Sequence, residues 1–239
     1  MDILDISISN AQFSINQYTS PNTLVLADIF NMLKVDKYYD YYRTVKRKNK
    51  DMEDDKQGVP MMNKVFYSRF AYCSNITYQF FLNEYKRIHC IRTNGTIKFK
   101  STEKRYQYSF TEQELDGKLL RAYMSFLKEL FVLYSLKENG FSVRYSLQDD
   151  NNKGFDITVV NAYGHQYGIR ICSDTEAAQK FIHKKEQERH DYNSNPHTVI
   201  VLKAPMERRV IGDTYLFTEE QMNALYNHIR NNKYETILL

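Results

Sequence analysis

The 239-residue chain has no tryptophan, four prolines and eight glycines, and none of its apolar runs approaches the roughly 20 residues that span a bilayer. Membrane anchoring is therefore not expected. The opening MDILDISISN places acids, and no basic region, ahead of any apolar run, so no export signal is expected either. Cysteine is scarce: Cys73, Cys90 and Cys172 are odd in number and lack the paired spacing of a zinc set. They point to reduced thiols and a cytoplasmic location, and away from a disulfide framework. In that setting the N-x-Thr sequons at Asn75 and Asn94 carry no weight. The few glycines form neither a GxGxxG nor a phosphate-loop pattern, which weighs against nucleotide hydrolases and dinucleotide enzymes. His89, His165, His183, His190, His197 and His228 fall at no metal-site spacing.

With 42% apolar and 14% aromatic residues, the chain can bury one substantial core, or a core with a small appended module. Lysine and arginine outnumber aspartate and glutamate 33 to 29, a formal net charge of +4 that permits contact with nucleic acid without demanding it. The twenty tyrosines, in a chain rich in Asn, Lys and Ile, read as the drift of an AT-rich genome and carry little functional weight one by one.

Along the chain, residues 1–60 read as a mostly helical segment. LVLADIFNMLKVDKYYDYYRTVKRK (24–48) has helical spacing, as one helix or as two broken near Val35 and Asp36, and a basic end. The charged KNKDMEDDKQG that follows marks a mobile loop near 49–60. Residues 61–111 are mixed, with a β-hairpin at 87–100. In RIHCIRTNGTIKFK, Asn94-Gly95 supplies a two-residue turn, setting Cys90 opposite Phe99 and Arg92 opposite Ile97.

From 112 to 239 the pattern is α/β. EQELDGKLLRAYMSFLKELFVLYSLKE (112–138) is a long helix with Leu119, Tyr123, Phe126, Leu127, Leu130, Phe131 and Tyr134 on its apolar stripe, stopped by Asn139-Gly140. FSVRYSL alternates as a strand with one buried face. After the polar QDDNNKG turn come two more strands, GFDITVV and GHQYGIRIC. Aligning their apolar faces sets Ile157 opposite Ile171 across a loop of about three residues around Gly164, with Asp156 facing Cys172 and Arg170 opposite Thr158. Ser173 to Glu176 reads as a capping box opening a helix that buries Ala177, Ala178, Phe181 and Ile182. HTVIVL (197–202) suits an inner strand, and Thr218 to Gln221 caps a last helix through Leu225 and Ile229. The expected architecture is a mixed central sheet with flanking helices, plus an N-terminal helical or mixed extension.

The order helix, three strands, helix, strand, with Asp156 early in GFDITV, resembles the PD-(D/E)XK, or restriction-endonuclease-like, superfamily over roughly 112–205. That resemblance implies a core in which an acid on the second strand, an acid and a lysine on the third, and often a helix glutamate bind Mg²⁺ and orient the attacking water. Glu129 would be the helix acid and Asp156 the strand acid, together the metal ligands of an active enzyme. The third strand departs from the pattern, with Arg170 in place of the acid and Cys172 in place of the lysine. Lys180 could replace the amine, and Asp174 the carboxylate. Each residue also has a plainer role: Glu129 a solvated stripe edge, Asp156 a partner of Arg170 or the Thr158 hydroxyl, Asp174 a helix N-terminal acid, Lys180 a snorkelling cation and Cys172 a packed thiol.

Basic residues cluster at Arg43, Lys46, Arg47, Lys48 and Lys50, at Lys184, Lys185 and Arg189, and at Arg208-Arg209. The first two are candidate phosphate contacts, and Tyr38, Tyr39, Tyr41 and Tyr42 stand ready either to stack on bases or to pack a helix. Three readings remain open. The leading one is a catalytically degenerate nuclease-fold protein that binds DNA, of the kind a phage or mobile element encodes. The others are an active Mg²⁺-dependent nuclease with a displaced lysine, and a protein-interaction module, as a homo-oligomer or with another protein, that ignores nucleic acid.

Overall fold

The structure is a computed structural model that describes residues 12–14, 59–72, 76–147, 149–150, 154–174, 176, 179–180, 198–204, 209–211, 214–215, 217–231 and 237–238. The helix expected at 24–48, the loop near 49–60 up to residue 58 and most of the helix after Ser173 lie outside the described residues. In chain order the elements are β1 (Gln12–Ser14), α1 (Met62–Tyr72), α2 (Tyr78–His89), β2 (Cys90–Thr93), β3 (Thr96–Phe99), β4 (Ser109–Phe110), α3 (Glu112–Glu138), β5 (Ser142–Ser146), β6 (Ile157–Val160) and β7 (Gln166–Ser173). Then follow β8 (Thr198–Ala204), β9 (Arg209–Ile211), β10 (Thr214–Tyr215), α4 (Glu219–Arg230) and β11 (Ile237–Leu238). The protein is mixed α/β. The chain divides into two compact units, the described part of the first ending at Leu127 and the second taking β1 and everything from Lys128. No helix among the described residues is long and apolar enough to cross a membrane.

The first unit is held by aromatic rings. Thr77 caps α2 by accepting the Phe80 N–H at 3.2 Å, and Tyr78, Phe81, Leu82 and Tyr85 recur at helical spacing on its buried side. Phe66 of α1 lies 4.8 Å from Phe126 and 5.6 Å from Phe81, centroid to centroid, with Tyr123 at 5.9 Å. Buried tyrosines need a partner for the hydroxyl, and here it is main chain: Tyr85 donates to Pro60 O at 2.7 Å and Tyr123 to Ile76 O at 2.9 Å. These tyrosines are structural. The β2–β3 hairpin has the expected register, Cys90 with Phe99 and Arg92 with Ile97, and Asn94 and Gly95 take the positive φ of 47° and 77° that the turn requires.

The second unit is built on a six-stranded sheet of order β1-β5-β6-β7-β8-β11. β1, β5, β6 and β7 are antiparallel neighbours, whereas β8 runs parallel to β7 and β11 parallel to β8. Strand β1 was not anticipated in a segment read as mostly helical. A parallel step needs a crossover connection, and Glu176, Gln179 and Lys180 are helical within it. Val143, Tyr145, Ile157, Val159, Tyr167, Ile169, Ile200 and Leu202 make one continuous buried face. Thr218 and Gln221 close the capping box of α4 as expected.

The register between β6 and β7 differs from the expected one by two residues: Ile157 pairs with Ile169, not Ile171, and Thr158 with Gly168, not Arg170. The loop explains the slip. Asn161 accepts the N–H groups of both Tyr163 and His165 on its side-chain oxygen, each at 3.0 Å, and stabilises a five-residue turn in which Gly164 takes φ 83°. Both registers bury the same apolar face, so periodicity does not separate them.

Gly168 is required by close approach. A Cβ there would stand 2.6 Å from the ring of Phe155, which is 1% exposed, while the Arg170 guanidinium lies 5.8 Å from the same ring's centre. Gly168→Ala is therefore expected to destabilise the protein by about 1–3 kcal/mol, read as a lower urea midpoint, with part of the loss recovered in Gly168→Ala/Phe155→Leu. An unchanged midpoint in the single variant would show that the ring yields freely.

Candidate functional site

The second half of α3 is apolar on every side: Leu130, Phe131, Val132, Leu133, Tyr134 and Leu136 are all buried. A helix of that kind is buried all round, and it takes Lys128 and Glu129 inside with it, each 8% exposed. This corrects the expectation of Glu129 as a solvated stripe edge. Lys128 also escaped notice, because a seven-residue stripe hides what the run ELFVLYSL shows, that no solvent side remains.

Lys128 reaches the end of β7, where its Nζ donates to Ser173 Oγ at 3.0 Å. Ser173, expected as a helix cap, is the last residue of that strand. Burial holds the lysine below its ordinary range, while the charges of Glu129 and Asp156 pull it back up. The site thus holds a buried lysine, bonded to Ser173 and within the electrostatic reach of Glu129 and Asp156.

Asp156 sits one residue before β6. Its N–H donates to Ile169 O at 2.9 Å, and its Oδ2 accepts the Ile171 N–H at 2.5 Å, so the carboxylate stands in for a main-chain acceptor as the ladder ends. It therefore does not face Cys172 as a cross-strand pair. It engages the backbone between Arg170 and Cys172. Arg170 donates its Nε to Gly154 O at 3.1 Å. The Thr158 hydroxyl, considered as a partner for Asp156, instead donates to Asp149 Oδ2 at 3.5 Å, which also accepts Arg144 at 3.2 Å. Tyr145, fully buried, donates its hydroxyl to Asp150 Oδ2 at 3.0 Å, and burial, then Asp150 and Glu129, raise it well above the ordinary phenol range. Asp149 and Asp150 were read only as turn residues. Their signal is position, two acids immediately after a strand whose Tyr145 needs an acceptor.

Cys172 is pushed up by burial, against the pull of Lys203 and Lys128, and stays a protonated thiol. Lys180 is held in solvent by Glu176, 2.6 Å away, and is 75% exposed. Asp174 accepts Gln179 Nε2 at 2.9 Å. Arg43, Lys46, Arg47, Lys48, Lys50, Lys184, Lys185 and Arg189 lie outside the described residues.

Among the described residues no group of three or more His, Cys, Asp or Glu is arranged to hold a metal ion. Magnesium asks for several hard oxygens in octahedral array. Here one oxygen of Asp156 accepts the Ile171 N–H and the charge of Lys128 acts on both Glu129 and Asp156, so these two carboxylates do not supply such an array. Comparison of the chain with protein-family models, curated proteins and solved structures returns no match.

The buried lysine leaves a pH signature. Its folded-state value is lowered below the ordinary 10.5, so between the two values the unfolded chain holds a proton that the folded chain lacks, and stability rises with pH through that window. Urea unfolding of wild type and Lys128→Met over the alkaline range should show wild type gaining on the variant as pH climbs toward 10.5. A difference that stays flat would place the lysine in water.

Proposed function

We propose that this chain is a nucleic-acid-binding protein whose second unit is a restriction-endonuclease-like core without a working metal centre. The supporting observation is the combination of topology and chemistry. A long helix leads into an antiparallel β5-β6-β7 meander with a parallel β8, and Asp156 stands at the start of the middle meander strand. The third-strand positions that the resemblance assigns to an acid and a lysine hold Arg170 and Cys172. Lys128, buried on the helix side and bonded to Ser173, lies within the field of Glu129 and Asp156, and a cation so placed opposes the binding of Mg²⁺ by those carboxylates. The net charge of +4 supports contact with phosphates.

One observation favours a second reading. Lys128 is an amine brought near Asp156 from a different element, which is where a displaced catalytic lysine would have to come from in an active nuclease. The two readings separate cleanly. Titration of labelled single- and double-stranded DNA should show binding that weakens roughly a thousandfold between 50 and 200 mM salt if about six phosphates are engaged. With Mg²⁺ added, no cleavage is expected, and Asp156→Ala should bind as wild type does. Magnesium-dependent cleavage abolished by Asp156→Ala and by Lys128→Met would establish the active enzyme instead. Absence of binding at any salt, with self-association, would favour the protein-interaction module.

A further inference from the structure

The first unit keeps one buried polar atom that nothing in the fold answers. His89 closes α2, and Cys90 opens β2 with no loop between them. The imidazole lies 4.8 Å from the Tyr85 ring, centroid to centroid, and its Nε2 is shut off from water without a hydrogen-bond partner. A buried polar group in that state is rare in folded proteins and asks for a cause. Its surroundings are cationic. Lys100 extends the β2–β3 ladder beside it, donating its N–H to His89 O at 2.8 Å, while the Lys100 ammonium donates to Arg87 O at 2.7 Å. Burial, then the charges of Lys64 on α1 and of Lys100, push the imidazole down to about 4, so it is neutral at neutral pH. The other titratable groups at this joint stay neutral too: burial raises the Tyr85 phenol well above its ordinary range and the Cys90 thiol to about 12.

No carboxylate offsets these lysines. Glu84 is held by Arg69 and Arg87, Glu112 by Lys86 and Arg92, and Asp116 by Lys86, whereas neither Lys64 nor Lys100 makes an ion pair among the described residues. Two uncompensated ammonium groups and an idle imidazole nitrogen have one need in common, a negatively charged acceptor. A tetrahedral oxyanion supplies it: its oxygens accept from both lysines, and its charge favours the imidazolium, whose second N–H then has a partner. Lys100 is exposed, and Lys64 and His89 are half-buried, so an anion arriving from solvent meets an ammonium before the ring.

We propose that Lys64, His89 and Lys100 form a binding site for a phosphate group, supplied in this protein by a nucleic-acid backbone. The source of the phosphate rests on the nucleic-acid reading above; the site itself does not. Anion binding lifts the imidazole from about 4 to its ordinary 6.5 or beyond, so complex formation takes up a proton between those limits and tightens as pH falls through them. The test titrates the full chain, labelled with ¹⁵N-histidine, with sodium sulfate, whose charge stays fixed over this range. Sulfate should move the His89 imidazole signals saturably, His89→Gln providing the assignment, and should bind about tenfold more tightly at about pH 5.5 than at about pH 7.5. His89→Gln should lose that gain. In fluorescence-anisotropy titrations of duplex DNA, Lys64→Gln/Lys100→Gln should weaken binding about tenfold and lower the salt slope by about one, the loss of one phosphate contact. Lys64→Arg/Lys100→Arg should keep both affinity and slope, and thermal unfolding checks that each variant is folded. Sulfate that leaves the His89 signals unmoved overturns the site. Sulfate binding at His89 with DNA affinity untouched by the double glutamine variant overturns the backbone phosphate as its ligand and leaves the nucleic-acid reading standing. A wild type that binds sulfate at His89 but no DNA overturns that reading and leaves the site to free phosphate.

Discussion

A lysine amine removed from water has to be met by acceptors, and the second unit answers that requirement. Lys128 is carried inside by a helix that has no polar side left, and three things answer it: the Ser173 hydroxyl and the charges of Glu129 and Asp156. Each answer comes from a different stretch of chain: the helix itself, the end of β7 and the approach to β6. Breaking one partner of such a set leaves a buried charge uncompensated, which typically costs several kcal/mol, whereas the whole set adds little over a well-packed apolar alternative. Its contribution is to arrangement. It ties the helix to the meander at the point where both strands of the β6–β7 pair end.

That arrangement explains why the acids are poor candidates for metal chemistry without appeal to what is missing from the third strand. A carboxylate that accepts a main-chain N–H at 2.5 Å and shares the field of a lysine is already stabilised as an anion. On the proposed reading, a buried lysine within the field of both carboxylates would oppose the binding of a divalent cation between them, and binding of a phosphodiester would remain without its cleavage.

The parts of this fold legible in the sequence are those in which local chemistry and burial point the same way. Asn94-Gly95 specified both the turn and the register of β2 and β3, Asn139-Gly140 ended α3 with Gly140 at φ 83°, and Thr218 with Gln221 opened α4. The register of β6 and β7 was not legible, because a shift of two residues keeps every apolar side chain on its own face. What decides between the two is a polar side chain, Asn161, capping its own loop. Lys128 was hidden for a related reason. Charge in a helix reads as exposure, and only the unbroken apolar run after it, Leu130 to Tyr134, shows that the helix is enclosed. Asp156 was found, but its bond to the Ile171 N–H depends on a ladder end that periodicity places only to within a residue or two.

Charge distribution follows the same division between what is contiguous and what folding brings together. A net excess of +4 is small, and spread evenly it would give little steering of an anionic partner. It is not spread evenly. Within the first unit Glu84 is shared by Arg69 and Arg87, and Glu112 by Lys86 and Arg92, while Lys98 and Lys100 are exposed and make no ion pair among the described residues. The Arg92–Glu112 pair, exposed on both sides, contributes at most about 1 kcal/mol to the fold. Arg92 is compensated close to the Asn94-Gly95 turn, whereas Lys98 and Lys100, on the other face and toward the open end of the hairpin, leave that side of the β2-β3-β4 sheet positive. A weakly basic chain can concentrate its excess charge locally in this way, independent of whether the carboxylates of the second unit do any chemistry.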